Sequence, residues 1–178
     1  PAVVFRAKVL ASVGRASEAK DLLRRLLEKE PEVYEAWIEL ALIAQREKDL
    51  DEAVRAFEKA ARISEDSPEL WFRIAMLQIE RKLPLEAVNA LTSTPLPADM
   101  YIQAALRFAD GQYFKEAEAM LEQAAKNGGD PDQVSLFLSV IKQESTKTPL
   151  AGLEPLESIP PSSPLYPSAL HQKSRIYL

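Results

Sequence analysis

Catalysis needs an acid, a base or a nucleophile held beside a partner that activates it, and this chain of 178 residues supplies few such groups. It has no cysteine, which excludes disulfides, thiolate nucleophiles and cysteine-ligated metals. Its one histidine, His171, has no Ser, Asp or Glu at a spacing that would make it a base, so it reads as a solvated or packing imidazole. The glutamates fall in runs such as DEA and KEAE at the start of apolar stretches. There they favour the positive end of a helix and solubility. Gly128-Gly129 reads as a helix end, because no Gly-Lys-Ser/Thr follows it to make a phosphate loop. No His/Asp/Glu cluster has metal-ligand spacing. The sequence therefore predicts no enzyme, no cofactor and no metal.

Composition narrows the classes further. The chain is 47% hydrophobic and 28% charged, with net charge -5 and an isoelectric point near 5.1. That balance argues against nucleic acid, although Arg24 and Arg25 form a small local patch. No apolar run approaches the roughly 18 residues of a membrane span. A cysteine-free chain suits cytoplasm and periplasm equally, so the compartment stays open. The sequence opens at Pro1 with no methionine or basic leader, as a piece of a longer protein would.

What must be positioned, then, is a surface, and the elements that carry it repeat. Trp37 and Trp71 stand thirty-four residues apart, as do Ala53 and Ala87. The stretches around them, PEVYEAWIELALIAQREKDLDEAVRAFEKAARISED and SPELWFRIAMLQIERKLPLEAVNALTS, each join two apolar runs of 3.6-residue period through a charged turn. The same step backwards reaches Ala19, with Gly14 in the turn before it. Forwards, the next Glu-Ala pair is Glu116-Ala117, only thirty residues beyond Glu86-Ala87. The third repeat is short by about one helical turn, which keeps the apolar face in phase. Pro95 and Pro97 mark the place, since proline stops a helix soon after Leu91.

The spacing predicts four helix hairpins over residues 1–130, at about 1–31, 34–67, 68–97 and 98–130, then a degenerate fifth unit at 131–160. In the latter, Pro149 and Pro155 predict a broken or partly 3₁₀ helix whose Leu150, Leu153, Leu156 and Ile159 still form an apolar edge. Residues 161–178 predict the first helix of a truncated sixth unit, with Leu170, Ser174 and Tyr177 as large, small and aromatic packing positions and Leu178 adding apolar surface. In the second unit, small Ala41, Ala53 and Ala60 let paired helices approach while Trp37, Leu40 and Phe57 fill the space around them.

A period of this length, with two helices per unit and small and large residues recurring in register, resembles the tetratricopeptide repeat. The resemblance covers residues 1–130 well and 131–178 loosely. It implies an all-α fold, a right-handed solenoid of antiparallel helix pairs, whose concave face is lined by first helices and binds protein. Here the family's usual glycine in the first helix is alanine, and its later tyrosine is Ala44 in one unit and Gln78 in the next. One subfamily grips a terminal carboxylate. Its positions fall on Val4, Lys8, Glu39, Glu69 and Arg73, and only Arg73 matches. Glu39 and Glu69 would repel such a ligand.

The groove so implied is lined by Glu35, Ile38, Leu42, Gln45 and Arg46, then Glu69, Phe72, Arg73, Met76, Ile79 and Glu80, then Ile102 and Leu106. It is mostly apolar, with Phe72 and Met76 near its middle and charges along its edges. The function expected is binding of a protein or peptide segment. A different class, an architectural segment for self-assembly through the terminal helix or for spacing other domains, stands beside it, as does an accessory arm of a larger enzyme.

Overall fold

The structure, a computed structural model, describes residues 2–64 and 67–177. Among them the only regular elements are helices. The chain divides into two compact units, Pro1–Arg81 and Lys82–Leu178. The fold is the all-α helix-hairpin class predicted from the period.

The first unit contains α1 (Ala2–Ser12), α2 (Ala16–Lys29), α3 (Tyr34–Arg46), α4 (Leu50–Ile63) and α5 (Pro68–Glu80). The pairs α1 with α2 and α3 with α4 pack as hairpins, and α2 with α3 and α4 with α5 join them in sequence. The close approach is possible because alanine occupies the contact line: Ala41, Ala53 and Ala60 are fully buried, beside buried Leu40 and Phe57. Trp37 is only half-buried, and its indole N–H donates to the Pro31 carbonyl at 2.7 Å. Gln78, at the position where the resemblance implies tyrosine, is buried and accepts from Arg81 at 2.7 Å. Arg81 also reaches Asp51 at the start of α4.

The second unit contains α6 (Pro84–Leu91), α7 (Ala98–Asp110), α8 (Phe114–Lys126) and α9 (Pro131–Thr146), a 3₁₀ turn (Pro149–Gly152), α10 (Leu153–Glu157) and α11 (Tyr166–Tyr177). Helix α6 has eight residues where α2 and α4 have fourteen each. Helices α7 and α8 form a hairpin, α8 packs on α9, and α9 packs on the 3₁₀ turn and α10. Leu156 and Ile159 of the degenerate segment are buried, whereas Leu150 is exposed.

Helix α11 docks on that segment, with buried Ala169 against Leu156 and Ile159, flanked by Leu136, Tyr166 and Ile176. The face turned inward is therefore one residue ahead of the Leu170–Ser174–Tyr177 face that the repeat pattern selects. All three of those residues are exposed. One residue is about 100° of helix rotation, and the docking of Tyr166 and Ile176 on the leucine cluster sets it. Leu178 lies outside the described residues. The Gln172 amide fixes the contact further by donating to the buried Ser139 hydroxyl at 3.2 Å.

One feature of the turns was not readable from residue types. Gly14, Lys48, Lys82 and Gln112 all have positive φ, at 82°, 63°, 62° and 62°, and they recur at the repeat spacing just after a first helix. In three of these turns the next N–H closes a six-residue loop onto the helix: Arg15 onto Leu10 O at 2.9 Å, Asp49 onto Ala44 O at 2.9 Å, and Tyr113 onto Phe108 O at 2.8 Å. This satisfies carbonyls that a helix end leaves open. The following helix then starts at once, and α4 is capped by the Asp49 carboxylate, which accepts from the Glu52 N–H at 3.1 Å.

Candidate interaction surfaces

First helices present the side chains expected to face a partner, and the structure sorts them by exposure. On α3, Glu35 and Arg46 are exposed, while Ile38, Leu42 and Gln45 are half-buried. On α5, Glu69, Arg73 and Glu80 are exposed, and Phe72, Met76 and Ile79 are half-buried. These apolar side chains thus keep part of their surface in water. On α7 the outcome is split. Leu106 is 38% exposed, but Ile102 is 8% exposed, because α7 buries a wide stripe of Tyr101, Ile102, Ala104, Ala105 and Phe108.

Three charged residues have structural partners that spacing alone did not show. The Arg73 guanidinium sits 5.4 Å from the centre of the buried Phe57 ring, a cation–π contact between α5 and α4. Glu39 is buried and receives the Lys8 ammonium at 3.0 Å, so two of the positions matched to the carboxylate clamp are paired with each other across α1 and α3. Glu80 is reached by Lys48 at 3.5 Å with both side chains largely in solvent, a contact of small worth.

Around Lys8 the first unit opens a cleft of about 560 Å³ between the N-terminal end of α1, the C-terminal end of α2 and the start of α3. Val4, Phe5, Leu26 and Val33 make its walls, with Lys8, Glu30 and Glu35 among them. Phe5 is 69% exposed. Glu35, expected on the first-helix groove, also borders this cleft, and Phe5 is not among the residues that the repeat pattern selects. The available signal was the spacing of Phe5, Val9 and Val13 at i, i+4 and i+8, an apolar stripe along α1 and the residue just after it whose members are all exposed.

A polar framework ties the hairpins together. Lys20 of α2 lies 2.5 Å from Glu47 and 3.3 Å from Glu52, and Arg24 also reaches Glu52. The hydrogen bond to Glu47 is the main reason that the Lys20 ammonium titrates above the ordinary lysine range, against the opposing pull of burial. Its bond to Glu52 likewise raises Arg24. Among the described residues no group of His, Asp and Glu could hold a metal ion, and no helix is long and apolar enough to cross a membrane.

Residues 6–68 match the tetratricopeptide repeat family model. That stretch carries tetratricopeptide repeats. Solved structures of similar fold include the TPR protein YrrB, described as having an unusual peptide-binding site, at 20% identity and TM-score 0.56 over 97% of this chain and 90% of that one. MamA is similar at 13% identity and TM-score 0.57, over 95% of both chains. The Naa15/Naa10 complex bound to HypK-THB contains a match at 18% identity and TM-score 0.67, over 98% of this chain and 28% of that one. No curated protein matches in sequence. Tetratricopeptide repeats are in general protein-interaction scaffolds, the class of role that the match over residues 6–68 implies.

Proposed function

We propose that this chain is a non-catalytic binding module that holds a protein or peptide segment on the first-helix faces of its tetratricopeptide repeats, without cofactor, metal or nucleic acid. The observation that supports it is the half-open state of Phe72 and Met76 on α5, with Ile38 and Leu42 on α3, each bordered by exposed charges. A partner that takes these side chains out of water gains about 25 cal/mol for each Å² of apolar surface, while Glu35, Arg46, Glu69 and Glu80 hold its register. The apolar cleft beside Phe5 extends the same kind of surface to α1. That YrrB is described as having a peptide-binding site is consistent with this reading.

Affinity capture tests it. Wild-type protein is compared with Phe72→Glu and Met76→Glu, with helicity checked by circular dichroism. The expected result is loss of a specific captured partner with helicity retained. Equal capture by all three proteins rejects this face as the binding surface.

A second reading, self-assembly through α11, is supported by Leu170 and Tyr177, which are 54% and 69% exposed. It predicts concentration-dependent sedimentation that Leu170→Lys abolishes.

A further inference from the structure

We infer that the first unit has a second, separate interaction surface: a basic cleft beside α2 and α4 that takes an acidic protein segment bearing a central apolar side chain. Arg55, Lys59 and Arg62 follow one another at spacings of four and three, which places them on one face of α4. All three are exposed, and among the described residues none has a carboxylate within ion-pair distance. They line a cleft of about 320 Å³.

Its apolar part is the half-buried Trp37 side chain of α3, on a wall completed by buried Leu40 of α3 and buried Ala56 of α4. Arg24 also lines it but is committed to Glu52 and Asp21. Among the described residues, Glu58 is the one lining carboxylate without an ion-pair partner, against the three cations Arg55, Lys59 and Arg62.

The charge of this surface is opposite to that of the whole chain, whose net charge is -5. An acidic segment is therefore attracted here while the chain's overall field repels it elsewhere, and this fixes where it lands. The apolar patch between the cations decides the class of partner. A carboxylate-rich segment with a leucine or phenylalanine can use both parts, whereas a nucleic acid backbone has no side chain for the apolar floor. The three cations also span only about 10 Å of helix, too short for the row of phosphate contacts that supports nucleic acid binding, and Glu52 and Glu58 interrupt it.

The test uses the full chain and a fluorescein-labelled peptide of about twelve residues, glutamate and aspartate around one central leucine, titrated by fluorescence anisotropy. Each ion pair lost at contact distance in water weakens binding about fivefold. Arg55→Gln combined with Arg62→Gln should therefore weaken the peptide about 25-fold, with unchanged helicity because both side chains are in solvent. Replacing the central leucine by serine should weaken it about tenfold. In a Trp71→Phe background, emission from Trp37 should shift on binding. Phe72→Glu should leave the titration unchanged, which separates this surface from the first-helix face.

No saturable binding at about 1 mM protein, which would be weaker than about -4 kcal/mol, overturns the inference. So does equal binding by the double variant, or tighter binding of a single-stranded oligodeoxythymidine of the same charge.

Discussion

Replacing Lys48 by glycine should stabilise the protein although it removes a side chain and an ion pair. Lys48 holds φ at 63° in the turn between α3 and α4. An L-residue with a Cβ pays about 1–2 kcal/mol in this region, and glycine pays none. Against that gain, glycine raises the entropy of the unfolded chain by about 0.4–1 kcal/mol. The contact of Lys48 with Glu80 at 3.5 Å is in solvent and contributes little. The net expectation is a gain of about 0.5 kcal/mol. Gln112→Gly, at φ 62° in the other unit, should add the same amount, because distant sites are additive.

The double variant should melt about 2–4 °C higher for each kcal/mol gained, read by circular dichroism. The opposite change is Gly14→Ala. A Cβ there meets nothing within 4 Å, so its cost of about 1 kcal/mol is purely conformational. Lys48→Ala is the internal control, since it deletes the ammonium but keeps the Cβ. If Lys48→Gly melts below Lys48→Ala, the left-handed turn is not what these positions share.

Two further outcomes are expected. Ala53→Leu, at a fully buried helix contact, should destabilise by about 1–3 kcal/mol. The exposed Glu28→Ala should stay within about 0.5 kcal/mol of wild type; equal melting shifts for the two would contradict the α3–α4 packing. Lys20→Met should cost about 1–2 kcal/mol at neutral pH by removing the partner of Glu47 and leaving Glu52 to Arg24 alone. Because the folded form holds the Lys20 proton more tightly than the unfolded chain does, its contribution is complete at neutral pH and is lost as pH rises through the raised folded value. The urea midpoints of wild type and Lys20→Met should accordingly converge in strongly alkaline buffer, and a constant gap would contradict that linkage.

Helices and their buried faces were legible because the apolar 3.6-residue rhythm and the alanines at Ala19, Ala53, Ala87 and Ala117 follow from packing geometry that is local to each pair. The turns were legible only at Gly14, where residue type announces positive φ. At Lys48 and Gln112 the same backbone is imposed by the hairpin closure, which overrides the residue's own preference. On α11 the repeat pattern marks Leu170 and Tyr177 for a following helix and both are exposed, while the neighbouring face docks, because a short helix after a proline-rich segment takes its rotation from what it packs on. Leu156 and Ile159 are distant in the repeat pattern. On the candidate surface, the half-open state of Phe72 and Met76 accords with the helical period, whereas the burial of Ile102 and the pairing of Lys8 with Glu39 depend on neighbouring helices. Phe5 is not marked by the repeat pattern, because the positions that correspond to it in α3 and α5 are the charged Glu39 and Arg73.

Both tryptophans, Trp37 and Trp71, lie in the unit Pro1–Arg81, and both are half-buried; the chain has only these two. Indole emission is therefore a reporter for that unit alone, while far-ultraviolet dichroism counts the helices of both. Melting the unmodified protein with the two probes together separates the units without labels or truncation. Coincident curves mean one cooperative block, and a gap between them measures the free energy by which either unit outlasts the other.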